Sequence, residues 1–349
     1  MIEIIFTVDY EIYGNGEGSL RKSVFEPAER LRAIFNKWNT RFVTFVEVAE
    51  LEMIEASDSD PSIGLVKRQI WDMKKEGFEI ALHLHPQWCN AQYKEGTWAL
   101  DYGEYNLCDQ SRERIDQILD RSIEYLRTLV GEPDFVPFSF RAGNWLFQPS
   151  RTLSKALAER GIRVDSSLFK GGLQRQHRLD YRFALKNGYF WTFSENVNLP
   201  DPRGVLMEFP IYTRMQPIWK LLTFKRIGLQ QKGAKRTQTG KMRLCRLLDY
   251  TRFWYPLKFD FCRMSIDELT QILEIEMRKD QKNPNVIRPI IAIGHTKDLA
   301  DPKTIDALLS FLHEKHIKVT DFRELYGKIQ VLRELMNEGG DSESFSGRN

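Results

Sequence analysis

The first strand constrains the fold most. Ile2 to Val8 is a largely apolar run, the pattern of a strand buried on both faces and so of a parallel sheet covered by helices. Strand-like segments recur at Phe42–Val48, Phe78–His85, Val136–Phe140, Ile162–Ser167, 187–195, 204–212, Arg288–Ile293 and Ile317–Val319. Between them lie segments of helical periodicity: Glu26–Trp38, Ile63–Lys75, Arg112–Val130, Ser150–Arg160, Ile266–Arg278 and Thr304–Glu314. Alternation of this kind predicts parallel strands joined by helical crossovers, and seven or eight such units predict a closed barrel. At 349 residues the chain is long enough for one.

Polar residues gather at one place in each unit. Asp9, Glu11, His83, His85, Arg141, Asp165 and His295 all stand at C-terminal ends of predicted strands. In a β/α barrel those ends converge on one mouth, where active sites are built. The pair His83 and His85 is the strongest single signal. Residues i and i+2 of a strand share a face, which places two imidazoles about 6.6 Å apart along the chain, and imidazole is a common ligand for zinc. Pro86 follows and ends the strand, since it has no N–H to give to a sheet ladder.

Composition excludes several classes. The net charge of +3 is too small to imply a nucleic-acid partner. Four cysteines, Cys89, Cys108, Cys245 and Cys262, show neither finger spacing nor a disulfide framework. No run of 18 apolar residues is present, and the first residues enter a strand directly, so a cytoplasmic, reduced protein is expected. Charge is unevenly spread, however. Arg214 to Lys258 holds twelve Lys and Arg against one acid, Asp249, interleaved with Trp219, Phe224, Trp254 and Tyr255. This insertion is expected either to dock peripherally on an anionic membrane at its cytoplasmic face, to hold the diphosphate of a nucleotide sugar, or to be a solvated surface.

Four segments in order resemble the polysaccharide deacetylase family, carbohydrate esterase family four. They are Phe6-Thr7-Val8-Asp9-Tyr10-Glu11, Gly77 to His83, Ser139-Phe140-Arg141-Ala142-Gly143, and Ile162-Arg163-Val164-Asp165-Ser166. Glu208-Phe209-Pro210 and Ile293-Gly294-His295 resemble the later strands. The likeness spans residues 1–325, interrupted by the basic insertion at 213–260 and followed at 326–349 by a helix end and a polar tail. It implies a deformed (β/α)7 barrel of the α/β class. It also implies a divalent metal, usually zinc, and removal of an N-acetyl group from an amino sugar in surface-polysaccharide or glycan-precursor biosynthesis; the basic segment 214–258 adds the expectation of a lipid-linked or nucleotide-linked substrate.

Carried over by position, the resemblance makes Asp9 the base and His295 the acid. Arg141 then holds Asp9 ionised, and Asp165 orients His295 or binds a sugar hydroxyl. Glu11, His83 and His85 become the metal ligands, and Trp88, Asn144 and Trp145 the substrate wall. Two departures stand out. Tyr10 separates the two carboxylates that are usually adjacent, and Gln87 occupies the position four after His83 where the family has its second histidine. His85 must take over that ligand's place. The alternatives are another carbon–nitrogen hydrolase on the same barrel, or a metal-free glycan-binding protein that has lost the site at Gln87.

Overall fold

The computed structural model describes residues 1–185, 189–217 and 252–338. Most of the basic insertion and the polar C-terminal tail lie outside them. Seven parallel strands form the barrel: β1 (Ile2–Tyr10), β2 (Val43–Glu47), β3 (Glu79–Leu84), β4 (Ser139–Ala142), β5 (Val164–Asp165), β6 (Leu206–Glu208) and β7 (Arg288–His295). They pair in the order β6-β5-β4-β3-β2-β1-β7. The ring is closed by single parallel bridges rather than a full ladder. Ile211, just beyond β6, meets Ile291 of β7, and Tyr212 donates its N–H to the Ile291 carbonyl at 3.0 Å. The barrel is therefore deformed, with its weakest seam between the sixth and seventh strands.

Helices α1 (Glu26–Lys37), α2 (Val48–Ala56), α3 (Ile63–Lys75), α4 (Arg112–Val130), α5 (Arg151–Glu159), α6 (Ile266–Lys282) and α7 (Pro302–Glu314) cover the outside. Their ends follow the capping chemistry of the sequence. The Ser111 side chain accepts from Arg114 N–H at the start of α4, which ends at Gly131 in the left-handed region (φ 70°). Ser265 and Glu268 close a reciprocal capping box on α6. The fourth strand begins at Ser139 rather than Val136, because Pro137 cannot contribute an N–H to the ladder. The strand runs on to Ala142, so Arg141 lies inside β4.

Strand register divides the barrel interior into two layers. Asp9 pairs with Phe45 and His295, Phe45 with Ala81, Glu47 with His83, and His83 with Arg141. These residues share one face, directed inward. Below them Ile5, Val43, Phe45, Ala81, Val164, Met207 and Ile291 form an apolar floor. A last helix, α8 (Phe322–Glu338), runs on through the boundary read at residue 325. Its Phe322, Leu325 and Ile329 are buried in that floor, with Phe322 6.1 Å from Phe45 and 5.5 Å from Phe209 between ring centroids.

The floor closes the N-terminal end of the barrel, and the inward polar residues stand toward the opposite, C-terminal end. Truncating the plug with Phe322→Ala is expected to cost about 3–5 kcal/mol of stability. Urea unfolding checks this, the midpoint falling while the slope is kept; an unchanged midpoint would mean that α8 packs on the barrel without closing it.

Candidate active site

At the mouth, one guanidinium fixes the geometry. Arg141 is fully buried and donates from Nη1 to Asp9 Oδ1 at 2.5 Å, from Nη2 to Thr7 Oγ1 at 2.9 Å, and from Nε to the Ser166 carbonyl at 2.8 Å. Its plane rests 4.1 Å above the Phe45 ring, the top of the apolar floor. Burial alone would raise the Asp9 carboxyl. The charge of Arg141, with those that His83 and His295 add when protonated, outweighs it and holds Asp9 below its ordinary value. Asp9 is thus an ionised carboxylate with one oxygen committed to Arg141.

The second oxygen, Oδ2, lies 3.3 Å from His295 Nε2. Burial pushes His295 down to about 4, with Asp9 and Asp298 acting in the opposite direction, so the imidazole is neutral at neutral pH. Its other nitrogen, Nδ1, is 3.5 Å from Asp298 Oδ2, and the ring stands nearly perpendicular to Trp145, 6.2 Å between centroids.

Glu11, two residues beyond Asp9 on the same face, meets both histidines of β3 and its edge. Its Oε2 lies 3.0 Å from His85 Nε2 and 3.5 Å from His83 Nε2. Lys297 Nζ donates to its Oε1 at 2.7 Å and to the Ile12 carbonyl at 2.9 Å. Burial raises the Glu11 carboxyl, but Lys297 and the two imidazoles overcome this and hold it well below the usual carboxylate range. His83 turns Nδ1 to the Arg141 carbonyl at 2.8 Å, while its buried Nε2 has no hydrogen-bond partner among the described residues. In the neutral ring, a backbone acceptor on Nδ1 fixes the proton there and leaves Nε2 a lone pair; burial lowers His83, but Asp9 and Glu11 outweigh it and raise it above its ordinary value.

These three atoms suit a metal. Ligands about 2.0–2.2 Å from a tetrahedral zinc stand about 3.3–3.5 Å from one another, close to the separations found. The donor set of one carboxylate and two imidazoles leaves a fourth position open, as catalytic zinc sites do. Glu11, Glu47, His83 and His85 offer ligand atoms within 4.8 Å of one another, as do Asp9, Glu11 and His295.

The structure brings Asp9, Glu11, His83, His85, Arg141 and His295 together. Asn144 joins them through its amide, 3.2 Å from His85 Nδ1. Asp165 does not reach His295. It is buried against Ser167, whose Oγ donates to it at 2.6 Å, and beside Glu208; burial raises both carboxyls. Asp298 has the place beside His295 that Asp165 was expected to fill. Trp88 is also displaced from the substrate wall. The tight turn Pro86–Trp88 folds it into the core, where it is fully buried and packs 4.9 Å from Trp98. Trp145 is half-buried at the mouth, but one face is taken by Lys258, whose Nζ is 2.8 Å from the ring centroid.

Glu47, Lys297 and Asp298 are site residues that the motifs did not mark. Glu47 was findable from parity, since it ends β2 on the same inward face as Phe45 and accepts the His85 N–H at 2.6 Å. Lys297 and Asp298 stand in a turn after β7, where no periodicity shows direction.

Glu50, on α2, accepts the Ile12 N–H at 2.8 Å, its other oxygen having no partner among the described residues. Burial, and next the charge of Glu11, raise its carboxyl well above the ordinary value. A group raised on folding binds extra protons in the native state, so its contribution to stability falls as pH rises past its unfolded pKa, about 4.3. Glu50→Gln keeps the acceptor and removes the titration. The variant is expected to match wild type at acid pH and to exceed it increasingly from pH ~5 upward, read as thermal midpoint against pH; parallel curves would contradict this.

No family model and no curated protein matches the chain. Solved structures do. One described as a polysaccharide deacetylase, from Mycobacterium smegmatis, is 16% identical over 95% of this chain and 91% of its own, with a TM-score of 0.53. A second so described, from Pseudomonas aeruginosa PAO1, is 13% identical over 99% of this chain and 93% of its own, at 0.48. At such identity the course of the backbone is what is shared. The chain has the polysaccharide-deacetylase fold, a deformed (β/α)7 barrel.

Proposed function

We propose that this protein is a metal-dependent amide hydrolase that removes the N-acetyl group from an amino sugar. The observation that carries this reading is the cradle of Glu11 Oε2, His83 Nε2 and His85 Nε2, beside an ionised Asp9 and a neutral His295. The fold shared with proteins described as polysaccharide deacetylases supports the substrate class.

Glu11, His83 and His85 would hold the metal, with zinc the best match to the donor set. Such a metal supplies Lewis acidity, which polarises an amide carbonyl and acidifies water. The chain's own residues then move the protons. Asp9 accepts the proton of the attacking water on Oδ2, since Oδ1 is engaged by Arg141. His295 Nε2, 3.3 Å away, takes that proton and delivers it to the departing nitrogen. Neutral histidine is the form that can receive it. Water adds to the acyl carbon, the carbon–nitrogen bond breaks, and an acid and an amine leave. Asp298 at Nδ1 stabilises the imidazolium while it carries charge.

One observation favours the metal-free alternative. Lys297 already gives Glu11 a cation at 2.7 Å, so the carboxylate is not left uncompensated. Elemental analysis separates the readings. Wild type is expected to hold about one zinc, cobalt or nickel per chain, lost in His83→Ala and in His85→Ala. The loaded protein should release acetate from N-acetylated sugar oligomers, with Asp9→Asn slower by about 10²–10⁴-fold. A wild type that stays metal-free after reconstitution would end the hydrolase reading in favour of a glycan-binding protein.

A further inference from the structure

Gln87 has a role that the ligand set does not give it. It is fully buried on the turn after β3, and its Nε2 lies 3.1 Å from His85 Nδ1. Asn144 Nδ2 approaches the same Nδ1 at 3.2 Å. The approach is built into the backbone. Asn144 sits at φ 54°, and a Cβ on the preceding Gly143 would come within 2.5 Å of the Leu84 carbonyl and 2.8 Å of His85 Cα. Gln87 Oε1, in contrast, has no partner among the described residues.

A neutral imidazole carries one proton, and what faces one nitrogen decides the other. Two amide nitrogens donating to Nδ1 require a lone pair there, which puts the proton on Nε2. That proton points at Glu11 Oε2, 3.0 Å away. In this arrangement His85 is a hydrogen-bond donor to Glu11 and cannot offer Nε2 as a ligand. Half-turns of the Gln87 and Asn144 amides together exchange both nitrogens facing Nδ1 for oxygens, in Gln87 the unpartnered Oε1. The oxygens then accept from Nδ1–H, and the lone pair moves to Nε2, toward the centre of the site.

We propose that Gln87 is a positioning residue that sets the tautomer of His85, and that its amide orientation selects between a closed His85–Glu11 hydrogen bond and a metal-receiving Nε2. The metal half of this inference rests on the hydrolase reading; the tautomer half does not. Gln87, four residues after His83, thus acts on the metal site through His85 rather than as a ligand.

The test uses the full chain labelled with ¹⁵N-histidine and freed of metal by a chelator, at neutral pH, with the His85 signal assigned by its loss in His85→Ala. Wild type should show the Nε2–H form. Gln87→Glu, which can only accept when ionised, should move His85 to the Nδ1–H form. Zinc affinity, by competition with a chromophoric chelator, should be kept or raised in Gln87→Glu and weakened about 10–100-fold in Gln87→Leu. The same tautomer in wild type and Gln87→Glu overturns the proposal, as does Gln87→Leu that binds zinc like wild type. A tautomer change with no zinc bound by any of the proteins keeps the Gln87 assignment and sinks the hydrolase reading.

Discussion

The ion pair between Arg141 and Asp9 is the interaction on which the mouth of the barrel depends. Burying two charges costs several kcal/mol per ion unless their remaining hydrogen bonds are met. Here Thr7 on β1 and Ser166 after β5 accept the remaining guanidinium hydrogen bonds, while the Phe45 ring of β2 lies against the guanidinium face. A guanidinium suits this, being a rigid planar donor that is always charged. Fixing Arg141 fixes Asp9, and it also orients His83, whose Nδ1 faces the Arg141 carbonyl. The Asp9 carboxylate and one imidazole of the cradle are thereby tied to a single residue.

A barrel with a sealed floor makes that polar layer affordable. Ile5, Phe45, Ala81, Met207 and Ile291 fill the lower interior, and α8 closes it with Phe322, Leu325 and Ile329. The charged groups are buried, so electrostatic interactions among them act in a low-dielectric setting. The same confinement explains the opposite fates of the carboxyls. Asp9 and Glu11 have cations at hand and stay ionised, whereas Glu47 and Glu50 are raised by burial and by neighbouring carboxylates. Depth is nearly equal for all four; the nearest charge decides.

Tight turns account for most of the distance between sequence and site. Trp88 follows Pro86 in a loop rich in aromatics and reads as a sugar platform, yet one turn of backbone sends it into the core. Asp298 rather than Asp165 stands beside His295, because Asp165 pairs with Phe140 and Glu208 on the face opposite to that of Arg141, while the turn after β7 brings Asp298 to the ring. Lys297 reaches Glu11 by the same turn. Such placements depend on φ and ψ at a few residues, and no hydrophobic period records them.

The sequence by itself determined the strand–helix alternation, the parallel sheet and the inward row of Asp9, Glu11, His83, His85, Arg141 and His295. Each follows from a local rule: apolar runs must be covered on both faces, and strand residues two apart share a side. Tertiary structure alone decided which atoms meet. It set the 3.0 Å approach of Glu11 to His85, the cation that Lys297 brings to Glu11, the burial of Trp88, and the contact of Gln87 with the far nitrogen of His85. Those are distances between segments far apart in the chain or turned by a single loop, and only closure of the barrel defines them.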